Sequence, residues 1–361
     1  MQPRPVWIIT TRLEPQICGV GGYSWLLDQA WPDQNTERTF VVVDGANNSR
    51  SVLGRERIFE FGTDWAALER ILATASAADL LIHYTGRGYS RLGCPWKLPG
   101  ILRRWKAANP GARLAVFFHE TPGDLPVISR HYIPNACNRA VVRGVARVAD
   151  VVITNTTESV AILQQISGRN DIYNLPVPSN IQPVAGGRER DFRQFVVFGL
   201  PFGRWQTLQM FDTELKRWQQ SGRLTQLHLI GPADSKFDKR TAHLVEKYPM
   251  PEGVVRHGFL PNDEVSRTLL GCGFALTPVN ESNWSKSGSV MACLAHGCVM
   301  VAQLKAATEP LKWAVTPGQI EQVTEPELAE RSEAERQWYR LNRDWKTLSA
   351  RVCELLQGRS K

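Results

Sequence analysis

The chain has 361 residues, 43% of them apolar and 22% charged, with a formal net charge of +8 and a pI near 9.2. That length exceeds one ordinary core and suits two domains, and the composition excludes long disorder. No apolar run approaches the roughly 18 to 20 residues that cross a bilayer, and the excess of positive charge points to an anionic partner surface. The N-terminus lacks the basic, apolar, small-residue pattern of a secretion signal, so the expected location is cytoplasmic, with the inner face of a membrane as a peripheral site. Seven cysteines form an odd, scattered set without a Cys-x-x-Cys pair. They argue against a disulfide framework and a structural zinc site, and read as small buried residues.

Val6 to Thr10 reads as a strand. It leads to a loop ending in Cys18-Gly19-Val20-Gly21-Gly22-Tyr23 and a helix from Ser24, where glycines let backbone approach a ligand at the helix start. A dinucleotide fingerprint, G-x-G-x-x-G, would need glycine where Ser24 stands; Asp44, ending the next strand, is at the distance of a ribose-binding acid. After a helix carrying Trp65, Leu68, Ile71 and Leu72, the apolar run Leu80-Leu81-Ile82-His83-Tyr84 and then Thr85-Gly86-Arg87-Gly88-Tyr89 lie at a strand's carboxyl end. Trp96 and Trp105, interleaved with Lys97, Arg103, Arg104 and Lys106, suit a surface helix at a membrane interface or one packed on the sheet. The run from Arg113 to Phe118 delivers His119 and Glu120 to the same edge, and a helix from Asn138 to Ala149 places Arg139, Arg143 and Arg147 along one stripe.

Strand and helix alternate again from Phe195. Gly199 ends a strand, Arg204 follows, and one helix is expected from Gln206 to Gln220. Gly258-Phe259-Leu260 closes a later strand, and Phe274 to Thr277 feeds a loop through Glu281, Lys286, Ser287, Gly288 and Ser289 into a helix ended by Gly297. Free N–H groups and the positive end of that helix dipole make the loop an anion cradle, with Glu281 at its lip. The tail from Glu327 to Leu356 is helical and carries Trp338, Leu341, Trp345 and Leu348. The fold class is α/β, two Rossmann-like domains with a ligand cleft between them.

In this order of features the chain resembles the GT-B glycosyltransferases, above all the retaining enzymes of glycosyltransferase family 4. The resemblance implies an N-terminal acceptor domain over residues 1–182, a linker over 183–192, a donor domain over 193–335, and a helix over 336–357 that packs back on the first domain. It implies catalytic roles for His119, Glu281 and Arg204. Donor contacts would come from Gly21, Gly22, Gly199, Gly258, Phe259, Leu260, Lys286, Ser287, Gly288 and Ser289. His83, Tyr84, Arg87 and Glu120 would face the acceptor. Glu281 matches the first acid of the family's E-x7-E pattern; Ser289 stands at the second, and Trp205-Gln206-Thr207 stands where the family has a lysine.

The implied reaction moves a hexose from a nucleotide-diphosphate sugar to an acceptor hydroxyl with retention of configuration, in polysaccharide, glycolipid or other glycoconjugate synthesis. The chain has no Asp-x-Asp pair to hold a divalent ion on the pyrophosphate, so neither metal nor cofactor is expected. The expected partners are the donor, a glycan or lipid-linked acceptor and an anionic membrane surface, not nucleic acid. Other readings are a catalytically impaired binding protein of the same fold, a nucleotide-sugar epimerase, and a nicotinamide oxidoreductase, which Ser24 disfavours.

Overall fold

The computed structural model describes residues 4–358 except positions 17, 76, 124, 126, 127, 187, 188, 247–251, 279–283 and 303–308. The chain divides into two compact units, Met1–Pro176 with Trp345–Lys361, and Val177–Asp344.

The first unit runs β1 (Val6–Thr10), α1 (Gly19–Gln29), β2 (Arg38–Val42), α2 (Ala46–Leu53), β3 (Ile58–Glu60), α3 (Trp65–Ala73), β4 (Asp79–Tyr84), α4 (Gly86–Tyr89), α5 (Leu98–Ala108), β5 (Leu114–Phe118), α6 (Tyr132–Val148), β6 (Val151–Thr154), α7 (Thr157–Ser167) and β7 (Ile172–Asn174). Its strands pair in parallel in the order β3-β2-β1-β4-β5-β6-β7. Strands β1, β2, β4, β5 and β6 are buried along their whole length, because helices cover both faces of the sheet. Alternation along β4 sends Leu80, Ile82 and Tyr84 to one face and Leu81 and His83 to the other.

The second unit follows with β8 (Asp191–Phe198), α8 (Pro201–Met210), α9 (Asp212–Gln220), β9 (Gln226–Ile230), α10 (Ser235–Val245), β10 (Val254–Gly258), α11 (Asn262–Gly271), β11 (Cys272–Leu276), α12 (Gly288–His296), β12 (Val299–Val301) and α13 (Glu325–Asn342); α14 (Trp345–Leu356) belongs to the first unit. The strand order is β10-β9-β8-β11-β12, again parallel. Phe195, Leu227 and Phe274 pack under α8 and α9, while Val196, Ile230 and Ala275 pack under α11 and α12.

Several boundaries differ from those the sequence suggests, each for a local reason. α1 begins at Gly19, ahead of Ser24, because the Cys18 Sγ accepts from the Gly21 N–H and caps it. α6 begins at Tyr132, since Pro134 falls in the first turn, where its missing N–H costs nothing. The expected helix over Gln206 to Gln220 is two helices: Pro201 starts α8 and Phe211 separates it from α9. The tail is likewise two helices, α13 opened by a Thr324–Glu327 capping box and α14 after Asp344. α14 joins the first unit by burying Leu348, Val352 and Leu355 and by a Ser349 hydroxyl that donates to the Leu27 carbonyl at 2.9 Å.

Contrary to the expectation from cysteine spacing, Cys94 and Cys137 are paired as a disulfide, with Cα atoms 5.8 Å apart. The packing of α5 on α6 brings together residues 43 apart in the chain. In the arginine stripe on α6, Arg143 donates to the Ile166 carbonyl at 2.8 Å and Arg139 to that of Pro122 at 3.4 Å, while Arg147 is exposed.

One ion cluster holds α1 to the sheet. Asp28, fully buried, accepts from the Arg38 Nε at 2.6 Å and meets the Arg55 Nη1 at 2.8 Å. Removing the carboxylate strands a buried guanidinium, so Asp28→Ala should destabilise the first unit by about 3–5 kcal/mol in urea unfolding. A loss under 1 kcal/mol would show the cluster to be dispensable.

Candidate functional site

In a doubly wound parallel sheet, ligands bind beyond the carboxyl ends of the strands where the strand order reverses. Here those places are the ends of β1 and β4 in the first unit and of β8 and β11 in the second.

Around the first, α1 lies hard against the backbone that follows β1. A Cβ on Gly21 would come within 1.5 Å of the Arg12 carbonyl oxygen, so this position accepts no side chain. Gly21 and Gly22 therefore sit in the first turn of a helix rather than in a loop. Ser24 occupies the close helix–strand contact, its hydroxyl donating to the Val20 carbonyl at 2.7 Å and lying 2.8 Å from the Thr10 hydroxyl. Asp44 is engaged by Arg12, whose Nε lies 2.9 Å from both carboxylate oxygens.

His119 follows β5 and faces the same side of the sheet as Phe117 and His83. Its Nε2 is 2.9 Å from the His83 Nδ1, its ring lies on Phe117, and Tyr23 and Trp345 complete an aromatic box in which Tyr23 meets His119 edge-on at 4.8 Å. Part of His119 reaches solvent, while its ring is enclosed, and this burial pushes its pKa down to about 3. Burial, then the neighbouring His119, holds His83 well below its usual value. Both rings are therefore neutral near pH 7 and share one proton across the contact. His83 is wholly buried and its Nε2 has no hydrogen-bond partner. An orphaned N–H costs more than an orphaned lone pair, so the proton sits on His83 Nδ1 and is donated to His119 Nε2. His119 then carries its own proton on Nδ1, the nitrogen turned away from His83.

Of the residues assigned to the acceptor side, His83 and Tyr84 do not reach solvent. They act only through what they hold: His83 through His119, and Tyr84 through a 2.6 Å hydrogen bond to the Asn138 Oδ1. Arg87 is exposed on α4, and Glu120 is exposed and accepts from the Thr85 hydroxyl at 2.6 Å. Tyr23, Thr85 and Asn138 complete this edge; nothing in the spacing of Asn138 could have marked it.

In the second unit β8, β9 and β10 end in a row of glycines. Gly199 (φ +149°) donates to the Ile230 carbonyl at 3.1 Å, and Gly231 (φ +137°) donates to that of Gly258 at 2.9 Å. A Cβ on Gly231 would lie 2.0 Å from the Gly199 oxygen and 2.3 Å from the Arg204 Nη1. Arg204, largely buried, spans the row: it donates to the Gly199 carbonyl at 2.7 Å and to that of Pro232 at 2.8 Å, with Asp238 at 3.6 Å. Its guanidinium is thus first a clip between two strand ends. The sequence reads Leu227 to Pro232 as a strand ending in a turn without assigning Gly231 to the site, and nothing in it marks Asp238.

Opposite Gly199 stands the start of α12. Ser287 caps it, its hydroxyl accepting from the Val290 N–H at 3.4 Å and lying 3.1 Å from the Ser289 hydroxyl. The Ser289 Oγ lies 3.8 Å from where a Gly199 Cβ would be. The first intrahelical bond runs from the Met291 N–H to the Ser287 carbonyl, so the helix itself makes no use of the Gly288 and Ser289 N–H groups. Lys286 is exposed one residue before the cap, in a short turn of helix anchored by Trp284 on Trp338 and by Arg343 across both rings. Phe259 is exposed after Gly258, and Leu260 is half-buried against the α11–α12 core. Glu281 lies outside the described residues.

No protein-family model matches the sequence, and no curated protein matches it. Solved structures do. The chain is similar to the N-terminal domain of a trehalose-6-phosphate phosphatase from Candida albicans, at 14% identity over 99% of this chain and 97% of that one, with a TM-score of 0.66. It is similar to HepE of Anabaena in complex with UDP, at 14% identity over 98% and 100%, with a TM-score of 0.66. It is also similar to an α-glucosyltransferase in complex with UDP and a 13-mer DNA containing an HMU base, at 12% identity over 98% and 99%, with a TM-score of 0.65. Likeness at such low identity fixes the fold: the chain has the GT-B architecture, as its order of motifs suggests.

Two measurements probe this geometry. Histidines held neutral by burial bind fewer protons than the unfolded chain between about pH 6.5 and about pH 3, so folding stability should be level above that window and fall as pH drops through it. His119→Gln should flatten the fall in a pH series of urea unfolding curves; an unaltered profile would mean the ring is hydrated. Gly231→Ala should cost about 3 kcal/mol or more, read as a drop in Tm, since both backbone and guanidinium must move.

Proposed function

We propose that the protein is a metal-independent, retaining hexosyltransferase of the family 4 type, moving a sugar from a nucleotide diphosphate to the hydroxyl of a glycan or lipid-linked acceptor. The observation that supports it most is the start of α12 set against Gly199, where N–H groups that the helix does not use, two serine hydroxyls and a glycine backbone meet at the reversal of the strand order. A diphosphate fits such a place, because its charge is stabilised by backbone donors and a helix dipole already in position. Two of the similar structures were solved with UDP, in keeping with this reading.

In this reading the second unit holds the donor. The diphosphate takes the Gly288 and Ser289 N–H groups and the Lys286 ammonium, the base meets Gly258-Phe259-Leu260, and Glu281 takes sugar hydroxyls. Ser289 offers the ribose a neutral hydroxyl in place of a carboxylate. The first unit holds the acceptor, and His119, with its proton on Nδ1, offers a hydrogen bond to the transferred sugar. The anomeric carbon–oxygen bond breaks toward the diphosphate, the acceptor oxygen bonds to that carbon on the same face, and its proton passes to the departing phosphate. Arg204 acts by fixing the Gly199 turn rather than as a free cation.

The test is a panel of nucleotide-sugars with glycan, lipid-linked and DNA acceptors, read by release of nucleoside diphosphate and by product anomeric configuration. Wild type should release diphosphate only with an acceptor; His119→Ala and Glu281→Ala should each lower kcat by about 100-fold, and Ser289→Ala should raise the UDP Kd by about 5-fold. Nucleotide binding without turnover of any donor would favour a binding protein, and epimerised donor without an acceptor would favour an epimerase.

A further inference from the structure

The first unit carries an apolar surface that the site does not use. Leu92 is 70% exposed, Trp96 66%, Ile128 95% and Ile133 79%. These side chains come from two segments, one before α5 and one entering α6, and the Cys94–Cys137 bond ties the segments together. Ile133 sits one helical turn before Cys137, on the same side of α6, and Trp96 stands two residues beyond Cys94. Large exposed side chains thus flank the bond on both segments, a concentration of apolar surface that marks a docking surface rather than ordinary exposed residues.

The charges carried by the two segments have one sign, and Glu120, held by the Thr85 hydroxyl at 2.6 Å, is a carboxylate bonded to them. Residues 84–97 and 128–139 contain Arg87, Arg91, Lys97, Arg130 and Arg139 and no Asp or Glu. Lys97 lies over the Trp96 ring, 5.2 Å from its centroid. Exposed aliphatics beside an aromatic, on segments whose own charges are all cations, match an interface of apolar chains beneath anionic headgroups. A second copy is a poor occupant, because a two-fold contact would set these cations against themselves. The long basic helix suggested by the sequence does not form this surface: Trp105 is buried and Arg104 is paired with Glu69.

We propose that this patch docks the first unit on an anionic lipid surface, with Ile128, Ile133, Leu92 and Trp96 entering the headgroup layer and Arg91, Lys97 and Arg130 meeting lipid phosphates. Docking is independent of the transferase reading and is measured without donor or acceptor.

The full-length protein would be sedimented with phosphatidylcholine vesicles and with mixed phosphatidylcholine–phosphatidylglycerol vesicles over a range of salt. Binding should favour the mixed vesicles and weaken as salt rises, over the range in which exposed charges become screened. Ile128→Ser with Ile133→Ser should lower the partition coefficient about 10-fold or more, and Arg91→Glu with Lys97→Glu should remove the preference for anionic lipid. These side chains already face water, so an unchanged Tm would show that the variants stay folded. The proposal is overturned if wild type does not sediment with mixed vesicles at low salt or if the isoleucine variant binds as wild type does. It is equally overturned if sedimentation velocity without lipid shows a dimer that the isoleucine variant abolishes, or if an acidic glycan is retained and vesicles are not.

Discussion

A parallel sheet covered on both faces has only its strand ends to offer a ligand, and both units are built under that constraint. Every side chain along the central strands of the first unit is committed to packing. The candidate site residues consequently lie one or two positions past the last residue of each strand: His119 and Glu120 after β5, Gly199 after β8, Gly231 after β9. What surrounds those residues decides whether they are presented or buried. Alternation makes the decision at β4, where His83 turns under α1 and Tyr84 turns under α6, so neighbouring residues support opposite sides of the sheet edge.

Much of this was legible in the amino-acid order. Strands buried on both faces read as unbroken apolar runs, so most strands and the two-unit α/β plan could be named, as could the strand-end positions of His119 and Gly199. The remainder depended on pairing between segments distant in the chain. His83 looks like an edge residue until the register of β4 against β5 places it beside Phe117. Arg204 looks like a free cation until Gly199 and Pro232 claim its guanidinium. Cys94 and Cys137 look unrelated until α5 lies against α6. Helix starts were misread where the cap was a thiol or where proline opened the first turn, devices that weigh little in composition and decide the local geometry.

The second unit shows one structural economy. Arg204, a fixed positive charge, is spent on holding two carbonyl-bearing turns in register, and in the proposed donor site the anion-facing role passes to backbone N–H groups that need no side chain. An arginine satisfied in this way does not depend on a ligand to be stable where it is. The first unit makes a similar choice with a neutral pair: His83 and His119 are kept uncharged by enclosure, and each depends on the other for a partner.

The row of glycines also sets limits on redesign. At Gly231 the neighbouring carbonyl and guanidinium leave no room for a Cβ, while Gly199 and Gly258 have room but positive φ angles that strain any other residue, so substitutions along the row cost stability. Variation in what this unit recognises must instead be written into the residues flanking the row: Leu200, Phe259, Leu260 and Ser289. Those four side chains can change shape while the main chain that presents them stays in place, and that separation gives a laboratory search a small and well-defined alphabet in which to look for new specificity.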